Sequence, residues 1–368
     1  MNTRNAELIG RAKRILTENI CKDSSYPWGE TPMMEPGKGW GGIWNWDSAF
    51  HAVGALHFDE ELAKTQIRGF LNFCADDGSL PDVVWENGEI ERRFSKPPVM
   101  AWAANRVYQK TGDTAFAKDV YPVLAKNVRF WEENRRIGGL FRYDADRSDG
   151  CTDDEYEKRV RYESGWDDSV RFDGKISHLL PVDLNCFMVM TYRAMAALSE
   201  AAGDRDNDYA GKAESLAKAV EEKFFCKKLA SYADFDYVQN AHTAVLTPAC
   251  FMPLYAKTAS ADRAEKMNEI AKAHFLPMMP TVAYTDKNYS AQYWRGPCWL
   301  NVAYFAAKGL KNYGFNQTAE TIKENILDSV YKNPEKIYEN YNSLTGEGLC
   351  CDHFSWSCSF VLEFVENL

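Results

Sequence analysis

The 368-residue sequence predicts an all-α fold, an (α/α)6 barrel of six helical hairpins with long loops gathered at one end. Three observations carry this. Helical periodicity dominates, strand-like alternation is sparse, and the connections alternate between short and long.

In chain order, amphipathic or fully apolar segments mark about twelve helices. They fall near 3–21, 46–57, 59–76, 97–111, 114–136, 181–202, 206–227, 240–256, 261–275, 293–311, 315–333 and 353–366. Strand signals are confined to stretches such as Val83-Val84-Trp85 and Glu89-Ile90-Glu91. Phe58-Asp59, Thr111-Gly112-Asp113, Ala202-Gly203-Asp204, Thr258-Ala259-Ser260 and Tyr313-Gly314 read as tight turns. Far longer connections fill 22–45, 77–96, 137–180, 228–239, 276–292 and 334–352. Paired this way, the helices close into a two-layered ring whose long loops share one end. Residues 1–368 are expected to form a single barrel domain, with no repeat or linker dividing them. Loops of that length in a compact domain are usually functional.

Composition narrows the partner. An apolar share of 45% fits a soluble globular chain, and 14% aromatic with 11 Trp is high. A net charge of −10 without a Lys/Arg cluster speaks against a nucleic-acid partner. No run is long enough to cross a membrane, and Met1 to Leu16 is too charged for a signal segment. The ten Cys lack any Cys-x-x-Cys pair, so a reducing, cytoplasmic setting is expected. No cofactor or metal is expected: the six His form no ligand pair, and no phosphate-binding glycine loop occurs. A weak calcium-loop pattern runs from Asp144 to Glu155, with Gly150 one place late.

The long loops hold the unusual chemistry. Glu163-Ser164-Gly165-Trp166-Asp167-Asp168-Ser169-Val170-Arg171 crowds acids, an aromatic and an arginine around one glycine, without helical or strand periodicity. That mixture suits a cleft in which a polar ring is held and protonated. Asp167 beside Trp166 is the candidate acid, since low local polarity raises a carboxyl pKa; Asp168 is read as capping the turn. The opposing carboxylate comes from Glu339 or Glu347 in the last loop, with Glu339 preferred for its neighbours Tyr338 and Asn340-Tyr341. In Trp44-Asn45-Trp46-Asp47, the aspartate could grip sugar hydroxyls or cap the helix after it. Arg171 and Arg295 could hold hydroxyls or form buried ion pairs. Trp40, Trp44, Trp46, Trp85, Trp166 and Trp294 are candidate stacking surfaces or core, and Lys96 and Glu347 complete the candidate contacts.

Glu-Ser-Gly-Trp-Asp-Asp-Ser, Trp-Asn-Trp-Asp-Ser, Tyr-Trp-Arg-Gly-Pro and Glu-Asn-Tyr-Asn-Ser-Leu-Thr-Gly together resemble glycoside hydrolase family 63, with a similar stretch in trehalases. These motifs span about residues 40 to 356. The resemblance implies an (α/α)6 barrel and inversion by single displacement. It places the general acid on Asp167 and the base on Glu339, with Asp47 and Arg295 holding the sugar. It implies an exo-acting hydrolase of a small α-glucoside, or else a trehalase or a mannosyl- or glucosylglycerate hydrolase. Two alternatives of another class are a sugar epimerase, which needs paired His, and a non-catalytic sugar-binding protein. Where a neutral amide is expected before Pro97-Pro98 stands Lys96. With Arg92 and Arg93 it hints at an anionic aglycone; the alternative is that these cations are solvated or paired with Glu89 and Glu91.

Overall fold

A computed structural model describes residues 3–368. Its first helices are α1 (Thr3–Glu18), α2 (Asn45–Ala55), α3 (Glu60–Leu71), α4 (Met100–Thr111), α5 (Thr114–Asn134) and α6 (Asp153–Ser164). There follow α7 (Val182–Ala202), α8 (Tyr209–Phe224), α9 (Met252–Tyr255), α10 (Ala261–His274), α11 (Leu300–Asn312), α12 (Asn316–Tyr331) and α13 (Ser355–Glu366).

Helices α2, α4, α7, α9, α11 and α13 pack side by side into a closed inner ring, with α13 returning to α2. Burial explains who goes inside. Every residue of α2 is buried, as are most of α7, α11 and α13, whereas α1 buries one stripe of Leu8, Arg11, Ala12, Ile15 and Leu16. Around them α1, α3, α5, α8, α10 and α12 form the outer layer. Phe305 on α11 meets a ring from each other inner helix: Phe50, Trp102, Phe187, Tyr255 and Phe360, at 4.8–6.3 Å between centroids. This aromatic plug fills the barrel axis and gives the site a rigid floor.

The alternation of connections has a physical cause. Tight turns lead from an inner helix to an outer one, and three of the five close on aspartate caps. Asp59, Asp113 and Asp208 accept from the N–H of Leu62, Phe116 and Gly211 at 2.9, 2.9 and 3.1 Å. Each such cap contributes about 1 kcal/mol. Gly112 and Gly203, at φ 66° and 80°, end α4 and α7 in the left-handed region that glycine tolerates. Every long connection instead enters an inner helix at its N-terminus, so all of them converge on one end of the barrel.

Three expectations need correction. Residues 240–256 are not one helix: Ala241–His242 is a strand, and helical turns begin only at Pro248. Thr247 before Pro248 is extended, as a residue preceding proline must be. The segment 293–311 is helical only from Leu300, because Pro297 cannot continue a helix backwards. Conversely, the connection 137–180 contains α6, whose sequence DDEYEKRVRYES shows no apolar stripe. Its start is legible as a capping box, Thr152 and Glu155 satisfying each other's backbone N–H. The calcium-like pattern is therefore a helix start, with Glu155 in the cap and Asp144 held by Arg142 and Tyr156. The strand expectations at Val83–Trp85 and Ile90–Glu91 hold; these pair with Gly42–Trp44 in a three-stranded ribbon.

Candidate active site

At the end where the long loops converge lies a cavity walled by charged and aromatic side chains. Asp47, Lys96, Asp167 and Glu339 supply its charge, and Trp40, Trp44, Trp46, Trp294, Trp299 and Trp356 much of its wall.

Asp167 is delivered by the end of α6. Gly165 caps that helix at φ 74°, and a Cβ there would stand 2.3 Å from the Trp46 ring. Only glycine both tolerates the conformation and lets the chain pass so close to Trp46. The chain then turns Asp167 into the cavity, while Asp168 accepts from the N–H of Trp294 at 3.0 Å. Burial is the main force on Asp167, pushing its carboxyl up to about 6; Lys96 opposes this and Asp82 reinforces it.

Glu339 precedes the small hairpin Asn340–Tyr341/Gly348–Leu349. Its carboxyl accepts from the Tyr293 hydroxyl at 3.0 Å and from the Cys351 N–H at 3.4 Å. Burial raises it to about 7, and both donors act in the opposite direction by favouring the carboxylate. Those donors distinguish the two acids: Glu339 is oriented as an acceptor, whereas no hydrogen bond from another residue reaches the Asp167 carboxyl among the described residues. Of the two glutamates considered from the sequence, Glu339 lines the cavity; Glu347 lies at the hairpin turn, away from it.

Asp47 is the third residue of α2, whose N-cap position is Trp44, so the capping alternative does not apply. It faces the cavity, where burial raises it to about 8. At neutral pH it can thus both donate to and accept from a hydroxyl.

Several candidate contacts lie elsewhere. Arg171 is corrected from a ligand contact to a core ion pair: it is enclosed, bonded to Asp183 at 2.6 and 2.7 Å and to Asp234 at 2.6 Å. Trp166 lies in the core between Arg171 and Trp294, its ring 5.1 Å from that of Trp294. Arg295 stays outside the cavity, clamping the Asp168 carbonyl and the Asp173 carboxylate at 2.8–2.9 Å. Trp85 does not line the cavity but braces Trp44 edge-on at 4.9 Å. The three cations of the second loop all have partners, while Lys96 also lines the cavity. Arg93 pairs with Glu91, Arg92 reaches the Phe73 carbonyl, and Lys96 pairs with Asp82 at 3.1 Å.

Residues the sequence reading passed over include Tyr293, Trp299 and Trp356. Tyr293 stood in the Tyr-Trp-Arg-Gly-Pro run. Trp299 and Trp356 carried a signal as well: like Trp46, each sits at the start of an inner helix, where the barrel opens. Among the described residues the indole N–H of Trp356 is buried without a partner, so this wall offers a free donor to a bound hydroxyl.

A helical barrel with two carboxyls in an aromatic-walled cavity is the architecture of a glycoside hydrolase. Residues 41–357 match the Mannosylglycerate hydrolase MGH1-like glycoside hydrolase domain, and the chain belongs to that family. Over 95% of its length it is 29% identical to a putative periplasmic trehalase of Salmonella typhi, covering 70% of that protein. A family 63 mannosylglycerate hydrolase from Thermus thermophilus, solved with glucose, superposes with TM-score 0.81 at 22% identity, covering 97% of this chain and 99% of that one. The neutral trehalase Nth1 of Saccharomyces cerevisiae superposes with TM-score 0.77 at 17% identity over 97% of this chain and 80% of that one.

Proposed function

We propose that this hydrolase is exo-acting and inverting, and that it releases one glucose from a small α-glucoside. The observation that carries the reading is the unequal pair: among the described residues Asp167 receives no hydrogen bond from another residue, whereas Glu339 is oriented by Tyr293 and Cys351. Asp167 donates its proton to the glycosidic oxygen as the C1–O bond breaks. Glu339 takes a proton from a water that attacks C1 from the opposite face, so an α-glucoside yields β-glucose. Inversion needs about 6.5–9.5 Å between the carboxyls, to admit that water. One sugar ring is held there by the aromatic wall and by Asp47.

Beyond Asp167 and Tyr293 a wider basin receives the leaving group. Lys158, Arg161 and Lys175 line it beside the carboxyls of Asp154, Glu157, Asp167, Asp168 and Asp173, and among the described residues the Arg161 Nε is buried without a partner. The second reading is a trehalase or a mannosyl- or glucosylglycerate hydrolase. One catalytic unit is inferred for 1–368, and a reducing compartment accords with ten unpaired thiols. Among the described residues no helix is long and apolar enough to cross a membrane.

Proton NMR of the protein with α-linked glucose disaccharides, trehalose, and glucosyl- and mannosyl-glycerate tests the reading. Initial β-sugar is expected from one of them; initial α-sugar would mean retention and overturn the base assignment.

The pH profile is a second test. The working form holds one proton between the two carboxyls, so kcat/KM is expected to be bell-shaped, with apparent limbs near 6 and 7 that belong to the pair. Inside this window the single proton rests mostly on Glu339, and the productive arrangement, with the proton on Asp167 and Glu339 ionised, is its minor tautomer; below the window both carboxyls are protonated and above it neither is. Activity that stayed level to pH 9 would contradict the assignment.

A further inference from the structure

Lys96 sits on the loop leading into α4, buried to 8% exposure among more carboxyls than it can neutralise. Its ammonium donates to the Tyr162 carbonyl and lies 3.1 Å from the Asp82 carboxylate. Asp47 and Asp167 share the cavity wall with it. Asp82 also feels Glu91 and Glu163, which are bound to Arg93 and Arg135, while Asp47 feels Glu339 and Asp167 feels Asp168. Among the described residues lining the cavity, the one cation facing this group is Lys96, with the Phe94 ring 5.6 Å from its ammonium.

The contact to Tyr162 adds a mechanical role. That carbonyl belongs to the last turn of α6 and already accepts the capping N–H of Gly165 at 3.1 Å. A cation is favoured at a helix C-terminus. The residue before Lys96 makes a parallel stitch: the Ser95 N–H donates to Glu163 Oε1 at 3.2 Å, and Glu163 is held in turn by Arg135 and by the Asp144 N–H. Two consecutive residues of one loop therefore grip two consecutive residues of α6, shortly before Asp167.

We infer that Lys96 is a positioning residue for the general acid: it pins the end of α6 that carries Asp167 and supplies the charge against which Asp47, Asp82 and Asp167 share their protons. This rests on the reading of Asp167 as the acid. A glutamine at this place could keep the bond to the Tyr162 carbonyl but would bring no charge. Burial of Lys96 is tolerated because the surrounding carboxyls hold it charged, and its pKa is raised even though burial acts against that.

The test uses K96Q, K96R and D82N, assayed on whichever panel glycoside is hydrolysed and on α-glucosyl fluoride, whose leaving group needs no proton. K96Q is expected to lose at least about tenfold in kcat on the glycoside and far less on the fluoride. Its alkaline limb should move up by about one pH unit, because Asp167 holds its proton more tightly without the neighbouring cation. K96R should return the limb toward the original, and D82N should move it down. Equal losses on both substrates with an unmoved limb would make Lys96 merely structural and overturn the proposal. If K96Q does not fold, an unmoved limb in D82N overturns it instead. D167N separates the two readings: full glycoside hydrolysis by that variant removes the acid assignment itself. A D167N protein dead on the glycoside but active on the fluoride leaves only Lys96 in question.

Discussion

Asp167→Asn is expected to lower kcat on a natural α-glucoside by about 10²–10⁴-fold, the usual contribution of a positioned general acid. An amide of the same shape keeps the turn after Gly165 but has no acidic proton for the leaving oxygen. KM should change little, because the aromatic wall and Asp47 are untouched. α-Glucosyl fluoride should remain a substrate, since fluoride departs unprotonated. Stability supplies an internal control. The folded-state pKa of Asp167 is raised to about 6, so whatever stability its protonated form provides is lost as pH rises through that value. The asparagine variant should therefore be at least as stable as the parent at pH 8. Steady-state kinetics on both substrates and a thermal melt at two pH values check this. Loss of activity on both substrates alike would point to misplacement rather than to a missing proton.

Arg171→Ala is expected to have the largest effect on stability, about 3–5 kcal/mol, because it strands two buried carboxylates. Asp183 and Asp234 are 1% and 4% exposed and both bind the guanidinium through paired bonds. Each is also tied to the start of α7, Asp234 accepting from the Val182 N–H and Asp183 from the Leu184 N–H. Arg171 lies 5.2 Å from the Trp166 ring, so the loss should also loosen the support beneath Asp167. Arg171→Lys keeps the charge but not the planar fork, and should fall between the two. Urea and thermal midpoints measure the effect; a midpoint unmoved by the alanine variant would show that the triad contributes nothing net.

The contrast between Arg171 and Asp167 shows what kind of information a linear reading carries. Both stand in one motif a few residues apart, and local chemistry alone makes either a candidate to touch a sugar. Helix α6 ends at Gly165, after which the chain turns Asp167 toward the cavity and Arg171 into the core. Glu339 and Glu347 divide similarly. The hairpin between them puts one in the cavity and the other at the turn, and their flanking residues only biased the choice. Apolar period does not reveal helix α6, because a charged helix lying over the site has no apolar stripe and periodicity reports burial more than helicity.

The sequence by itself determined the barrel, the alternation of short and long connections, the end of the ring at which the chemistry gathers, and Asp167 and Glu339 as the preferred acids. These follow from local properties: apolar period, turn residues, and polar groups placed beside aromatic ones. Only the tertiary structure decided that Lys96 is paired with Asp82, that Arg295 stays outside the cavity, and that Trp299 and Trp356 form its wall. Ion pairs and cavity walls join residues far apart in the chain, such as Tyr293 and Glu339. Which carboxyl keeps its proton depends on burial and on the nearest cation, and neither exists until the ring has closed.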